Sequence, residues 1–232
     1  MAENDNSLDT FPKILARNVR DYGNSPAYRE KEYGIWQTWT WSEASIAIMN
    51  LAKGLIKLGV KEGDHVAVIG RNRPYLYWSL VAAQHVGAVP VPLYQDAVAD
   101  EMEYILTHCS AKFAIVGDQE QVDKIHEIQE KIKGLKDIVF VDPKGLRKYD
   151  KSTLHFFGDV SQSGEDDNGD LQTELNNRIA KITGDTTSVL LYTSGTTGLS
   201  KGVVQTHKAI IGASSGANEL DRWSDNDHLV CY

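Results

Sequence analysis

Residues 65–94 read HVAVIGRNRPYLYWSLVAAQHVGAVPVPLY, and the order of apolar runs within them sets the architecture. HVAVIG (65–70) and AVPVPLY (88–94) are apolar at odd and even positions alike, as strands buried on two faces are. RPYLYWSLVAAQHVG (73–87) between them is too long for a strand and reads as a largely buried helix. Strand, helix and strand of this kind make a βαβ unit, whose crossover leaves its strands parallel. The apolar run 75–94 also imitates a membrane span. Gln84 and His85 fall at its middle, however, and Gly87, Pro90 and Pro92 break any continuous helix. A buried helix running into a buried strand accounts for it better than a bilayer crossing.

The rhythm continues outward. DEMEYILTHCS (100–110) reads as an amphipathic helix and KFAIVG (112–117) as a strand. QVDKIHEIQEKIKG (121–134) follows as a helix with Val122, Ile125, Ile128 and Ile132 on one face, and DIVFVD (137–142) closes the series. Upstream, TFPKILARNVRDY (10–22) predicts a helix capped by Thr10, with Pro12 tolerated in its opening turn. PAYRE (26–30) and IWQTWT (35–40), joined by KEYG, predict a hairpin. Ser42 is the expected cap of the next helix, with Ile46, Met49, Ala52 and Ile56 on one face and Gly59 as its stop. Trp36, Trp39 and Trp41 alternate as on a strand, which predicts packing on one face. The fold class is α/β, a mainly parallel sheet flanked by helices.

Residues 143–187 change character and are expected to be irregular, bounding two subdomains or running over the surface. SQSGEDDNGD (161–170) is acidic and without apolar period, so it predicts a solvated loop. LQTELNNRIAKI (171–182) predicts a helix leading into a strand at 188–192. At 232 residues the chain can bury a sizeable core, and 41% hydrophobic with 24% charged residues is ordinary for a globular protein. A net charge of −8 argues against a nucleic-acid partner. Lysines and acids are interleaved, so no polybasic membrane anchor is present, and MAENDNSLDT is the opposite of a signal or transit peptide. Cys109 and Cys231 have no CxxC spacing and are expected to be reduced thiols in the cytoplasm. No repeat of fixed period occurs.

Toward the C-terminus stands VLLYTSGTTGLSKG (189–202), apolar residues followed by hydroxyls, glycines and one lysine. Buried hydroxyls need partners, and so small a set of side chains packs against little. An outside ligand satisfies the pattern better. Gly195 and Gly198 let backbone amides turn inward as an anion-binding nest. Thr193, Ser194, Thr196 and Thr197 add hydroxyls that can also meet a hard cation, and Lys201 adds a full positive charge. The ligand described is a polyphosphate with its magnesium. An unliganded glycine-rich turn is the plain alternative, and hydroxyls this dense with a lysine after a buried strand argue against it. A Walker A loop needs glycine directly before the lysine, where Ser200 stands, and no GxGxxG follows any strand. A loop at the carboxyl edge of a sheet strand is the expected setting.

The stretch resembles the phosphate loop of the AMP-forming acyl-CoA synthetases and related adenylating enzymes, approximately [YF]TSGTTGxPKGV. Tyr192 to Val203 match it throughout except at Ser200, where that family usually has proline. Residues 39–94 resemble the same family's N-terminal region, including a GAxxVPL-type element at Gly87–Leu93. REKEYGIWQTWTWSE and LYQDAVADEMEYIL are most similar to its bacterial long-chain fatty-acid branch. The resemblance implies an ATP-dependent reaction of a fatty acid, through an acyl-adenylate, to a CoA thioester. ATP, Mg²⁺ and CoA are the implied cofactors and co-substrates. Thr193, Ser194, Gly195, Thr196, Thr197 and Gly198 would embrace the β- and γ-phosphates, Lys201 would offset their charge, and Thr196 would help hold Mg²⁺.

The resemblance also implies later elements that these residues do not contain: an adenine-placing segment, a ribose-binding aspartate, and a C-terminal domain with the catalytic lysine. Residues 1–232 are thus expected to be the N-terminal part of the AMP-binding domain, without a catalytic residue and without turnover alone, the missing C-terminal part being its partner. Peripheral contact with a membrane through the acyl substrate is a further expectation. Another adenylating branch (an acyl- or aryl-CoA ligase or a peptide-synthetase domain) and a non-catalytic nucleotide-binding module remain as alternatives. His126-Glu127 opens an HExxH-like pattern, but Glu130 replaces its second histidine. His207 is expected at a strand end or helix start, and Tyr75, Tyr77 and Trp78 are expected to pack a helix.

Overall fold

The computed structural model describes residues 8–193, 199–224 and 227–231. Thr10 caps α1 (Phe11–Tyr22): its hydroxyl accepts from the Lys13 amide at 3.4 Å, and Pro12 sits in the opening turn. A hairpin follows, β1 (Pro26–Glu32) antiparallel to β2 (Ile35–Thr40), turning on Tyr33 and Gly34 at φ 47° and 83°. Next comes α2 (Trp41–Leu58), which ends at Gly59 with φ 97°. Its cap is Thr40, not Ser42. The Thr40 hydroxyl accepts from the Glu43 amide at 3.2 Å, and the Glu43 carboxylate accepts from the Thr40 amide at 2.8 Å.

The buried face also differs from the expected one. Ala44, Ile48, Leu51, Ala52 and Leu55 point inward, whereas Ile46 is 61% exposed. Trp41 is helical, and the three tryptophans do not share a face: Trp39 meets Trp78 edge-on, Trp41 packs near Tyr28, and Trp36 is exposed with Lys31 over its ring.

The expected alternation then runs through β3 (His65–Ile69), α3 (Pro74–His85), β4 (Val89–Leu93), α4 (Ala99–His108), β5 (Phe113–Val116), α5 (Gln119–Ile128) and β6 (Asp137–Phe140). With β7 (Leu154–Phe156) these strands form one parallel sheet in the order β4–β3–β5–β6–β7. Alternate residues serve opposite faces. Ala67, Ile69, Ala114, Val116, Ile138 and Phe140 share a core with Met102, Ile105, Val122 and Ile125 of α4 and α5. Val66, Val68, Phe113, Ile115 and Val139 share the other with Ile48 and Leu51 of α2 and Leu76 and Ala82 of α3.

Residues 143–187 are not irregular as expected. They hold a 3₁₀ turn (Leu146–Lys148), the edge strand β7, α6 (Phe157–Glu165) and α7 (Asp170–Lys181). Six of the ten residues of the supposed solvated loop 161–170 are therefore helical. α6 is poor in apolar residues because it crosses α2 backbone to backbone. A Cβ on Gly54 would lie 2.1 Å from the Val160 carbonyl oxygen, and one on Gly164 would lie 2.1 Å from that of Asn50. The chain then enters β8 (Thr187–Thr193), β9 (Lys201–Thr206) and α8 (His207–Asp221). β8 does not extend the parallel sheet. It pairs antiparallel with β9 as a separate ribbon beside β4, so the loop expected at the carboxyl edge of a sheet strand instead joins the two strands of a hairpin. KGVVQT has strand character of its own and returns along β8 directly.

Candidate phosphate-binding hairpin

β8 enters from the core. Ser188 is buried, and the Gln84 side-chain amide of α3 donates to its carbonyl at 3.1 Å and its hydroxyl at 2.9 Å. Val189 and Leu190 are buried, and exposure begins at Leu191. The register pairs Thr187 with Thr206, Tyr192 with Gly202 and Thr193 with Lys201. Directly opposed residues present their side chains to one face. The Thr193 hydroxyl and the Lys201 stem thus share a face where the strands end, and both residues are exposed.

Gly202 has a reason to be glycine. A Cβ there would lie 3.2 Å from Leu190 Cδ1 and 3.3 Å from the Tyr192 ring. Burial, with Cys109 and Tyr104 nearby, pushes the Tyr192 hydroxyl up to about 12, so it keeps its proton near neutrality.

Of the residues expected to bind phosphate, Thr193 and Lys201 are thereby brought together. Ser194, Gly195, Thr196, Thr197 and Gly198 lie outside the described residues, and so does the magnesium contact expected of Thr196. Lys201 makes no ion pair among the described residues, so its charge is open to an anion. Among those residues no cluster of histidine, cysteine and carboxylate suits a metal. His126 stacks on Tyr149 at 5.8 Å instead.

His207 sits at the other end of the ribbon, next to the Thr187–Thr206 pair. Six residues of strand separate it from Lys201, about 20 Å. It is buried, its Nδ1 accepts from the Phe11 amide at 3.3 Å, and burial lowers its pKa to about 4. It is a packing residue at a helix start.

A cleft of about 360 Å³ beside the ribbon is lined by Asp64, His65, His108, Ser110, Lys112 and Tyr192 among others. Its charges are satisfied internally. Lys112 holds Asp64 at 2.7 Å, His65 Nδ1 meets the Cys109 carbonyl, and His108 Nδ1 lies 2.6 Å from the Tyr192 hydroxyl. The cleft offers a ligand no open charge. Sequence reasoning missed Gln84, Ser188, Tyr104 and His108. For the last two the signal was their four-residue spacing on one helix, which names no distant partner.

The family described as AMP-binding enzyme matches residues 15–232. Human long-chain-fatty-acid–CoA ligase ACSBG2 is 29% identical over 222 residues, covering 95% of this chain and 32% of the relative. The chain thus spans about a third of that relative's length. Among solved structures, long-chain-fatty-acid-CoA ligase FadD1 from Archaeoglobus fulgidus superposes with a TM-score of 0.74 at 20% identity, over 92% of this chain and 39% of that one. The anthranilate CoA ligase AuaEII in complex with anthranoyl-AMP superposes with a TM-score of 0.67 at 23% identity, over 86% and 35%. These likenesses show the fold, and no helix described is long and apolar enough to cross a membrane. With a match running over nearly all of its length, the chain belongs to the AMP-binding enzyme family.

Proposed function

We propose that the chain is the phosphate-binding N-terminal part of an ATP-dependent, AMP-forming long-chain fatty-acid–CoA ligase. In that reaction a fatty-acid carboxylate attacks the α-phosphate of ATP and releases pyrophosphate, and the CoA thiol then displaces AMP from the acyl-adenylate. The observation that carries the proposal is the Thr193–Lys201 pair, which bounds a connection made, apart from Leu199, of hydroxyl residues and glycines. The described end of the ribbon offers a hydroxyl and an ammonium and no carboxylate, a donor set that fits phosphate. Mg²⁺ would neutralise phosphate charge, with Thr196 as its residue on this chain. Amides of Ser194 to Gly198 would receive the β- and γ-phosphates, whose charge Lys201 offsets. Two of the relatives named above carry long-chain names, which favours the long-chain branch, with a cytoplasmic setting and membrane contact through the acyl chain as parts of the same proposal.

Calorimetry of Mg·ATP binding tests it. Lys201→Ala removes a charge-assisted contact of about 1.5–3 kcal/mol, so the dissociation constant should rise roughly ten- to a hundredfold. A wild-type chain that binds no Mg·ATP, or an unchanged constant in the variant, would overturn the assignment. The 232 residues alone should show no fatty-acid-dependent pyrophosphate exchange. In a form extended to the relatives' length, long-chain acids should be activated in preference to aryl acids.

A further inference from the structure

One face of α4 grips the ribbon at both ends of its connection. The Tyr104 hydroxyl donates to the Ser200 carbonyl at 2.9 Å, just before Lys201. One helical turn later, His108 Nδ1 lies 2.6 Å from the Tyr192 hydroxyl, just before Thr193. Residues four apart on a helix are neighbours, and these two rings stack at 5.6 Å and 27°. His108 meets the Tyr192 ring edge-on at 5.7 Å.

α4 itself is fixed to the sheet through Met102, Ile105 and Leu106, on another face. Tyr104 is half-buried with its ring packed against that core, whereas His108 is exposed. A two-stranded ribbon is marginal by itself, and Thr193 and Lys201 stand where it ends. The two contacts transmit the rigidity of the sheet to that end.

We infer that Tyr104 and His108 are positioning residues: they fix the spacing and facing of Thr193 and Lys201, and so pre-order the end of the ribbon that receives phosphate. The inference rests on the phosphate-binding assignment made above. Neither side chain needs to touch the ligand. The contact at Ser200 uses its carbonyl, which a proline would also supply, so the departure at this position leaves the grip intact. Ordering before binding removes an entropic cost that would otherwise fall on the ligand.

The experiment compares the wild-type chain with Tyr104→Phe, Tyr192→Phe and the double variant, which keep every ring and lose only hydroxyls. Mg·ATP binding is measured by calorimetry, with amide hydrogen exchange at Thr193 and Lys201. Each single variant should weaken Mg·ATP about three- to tenfold, and the double variant more than tenfold. Exchange at Thr193 and Lys201 should quicken while the melting temperature scarcely moves. Unchanged Mg·ATP affinity in the double variant, or unchanged exchange at Thr193 and Lys201, would overturn the positioning role while leaving the phosphate assignment standing. A wild-type chain that binds no Mg·ATP would remove both.

Discussion

Phe113 in the parallel sheet and Leu220 on α8 are both large and apolar, and the protein treats them oppositely: 1% of the first is exposed and 84% of the second. The contrast extends to their surroundings. The central strands lie between helices on two faces, with their apolar residues divided between two cores. The C-terminal unit of β8, β9 and α8 buries Ser188, Val189 and Leu190 at one end and His207 on its helix, and is exposed over most of the remainder. Directional contacts place it: Gln84 to Ser188, Phe11 to His207, Tyr104 to Ser200 and His108 to Tyr192. Burial sets how stable the sheet is, whereas single hydrogen bonds set where the ribbon points. A ligand-binding end held in this way can be tuned without unfolding its support.

The largest expected effect lies in the sheet. Phe113→Ala should cost about 3–5 kcal/mol in denaturant unfolding, because the site is enclosed and cannot collapse freely. A loss below about 1 kcal/mol would break the contrast at its firmest point. The crossing of α2 and α6 comes next. Gly164→Ala puts a Cβ against backbone that cannot rotate away, so about 3 kcal/mol is expected, the upper end for overpacking. An unperturbed variant would show that the two helices separate easily.

That crossing also explains what the sequence conceals. The βαβ rhythm is legible because strands buried on two faces are apolar at every position. β7 has three residues, too few to alternate, and is recognised only through its ladder to β6. α6 resembles a loop in composition because small residues are what a close crossing requires. The cap of α2 is legible, since Thr40 and Glu43 have capping-box spacing whereas Ser42 has only Ser45 three residues on. The phosphate motif is legible because it is contiguous. Tyr104 and His108 act on residues 96 and 84 positions away, a separation that no local pattern encodes.

Acid should loosen the C-terminal unit selectively. His207 is neutral in the fold, with its pKa lowered to about 4 by burial, and the nearby Asp9 carboxylate only partly opposes this. Below the ordinary imidazole value the unfolded chain takes up the proton first. The stabilisation is therefore complete above pH 6.5, is lost as pH falls toward 4, and levels off below that. His85 has its pKa lowered to about 4 chiefly by burial and in part by the charge His207 would carry, so most but not all of its contribution is common to the two proteins. Between pH 7 and pH 5 the wild type should lose about 2 kcal/mol more than His207→Gln. Parallel pH profiles for the two proteins would show that this imidazole reaches water.

The smallest effect is expected at Leu220, and its smallness is informative. Leu220→Gln keeps a residue unbranched at Cβ and of similar helix propensity, so the backbone of α8 loses little. At 84% exposure the leucine has almost no burial to forfeit, and the glutamine amide has water for a partner. Unfolding free energy should move by no more than about 0.5 kcal/mol in either direction. Apparent stability should also be independent of protein concentration in both forms. A loss above about 1 kcal/mol that grows with concentration would mean that α8 packs against a second copy in solution, since association stabilises by mass action. The exposed unit would then be buried in a dimer, and the contrast with the sheet would hold only for the isolated chain.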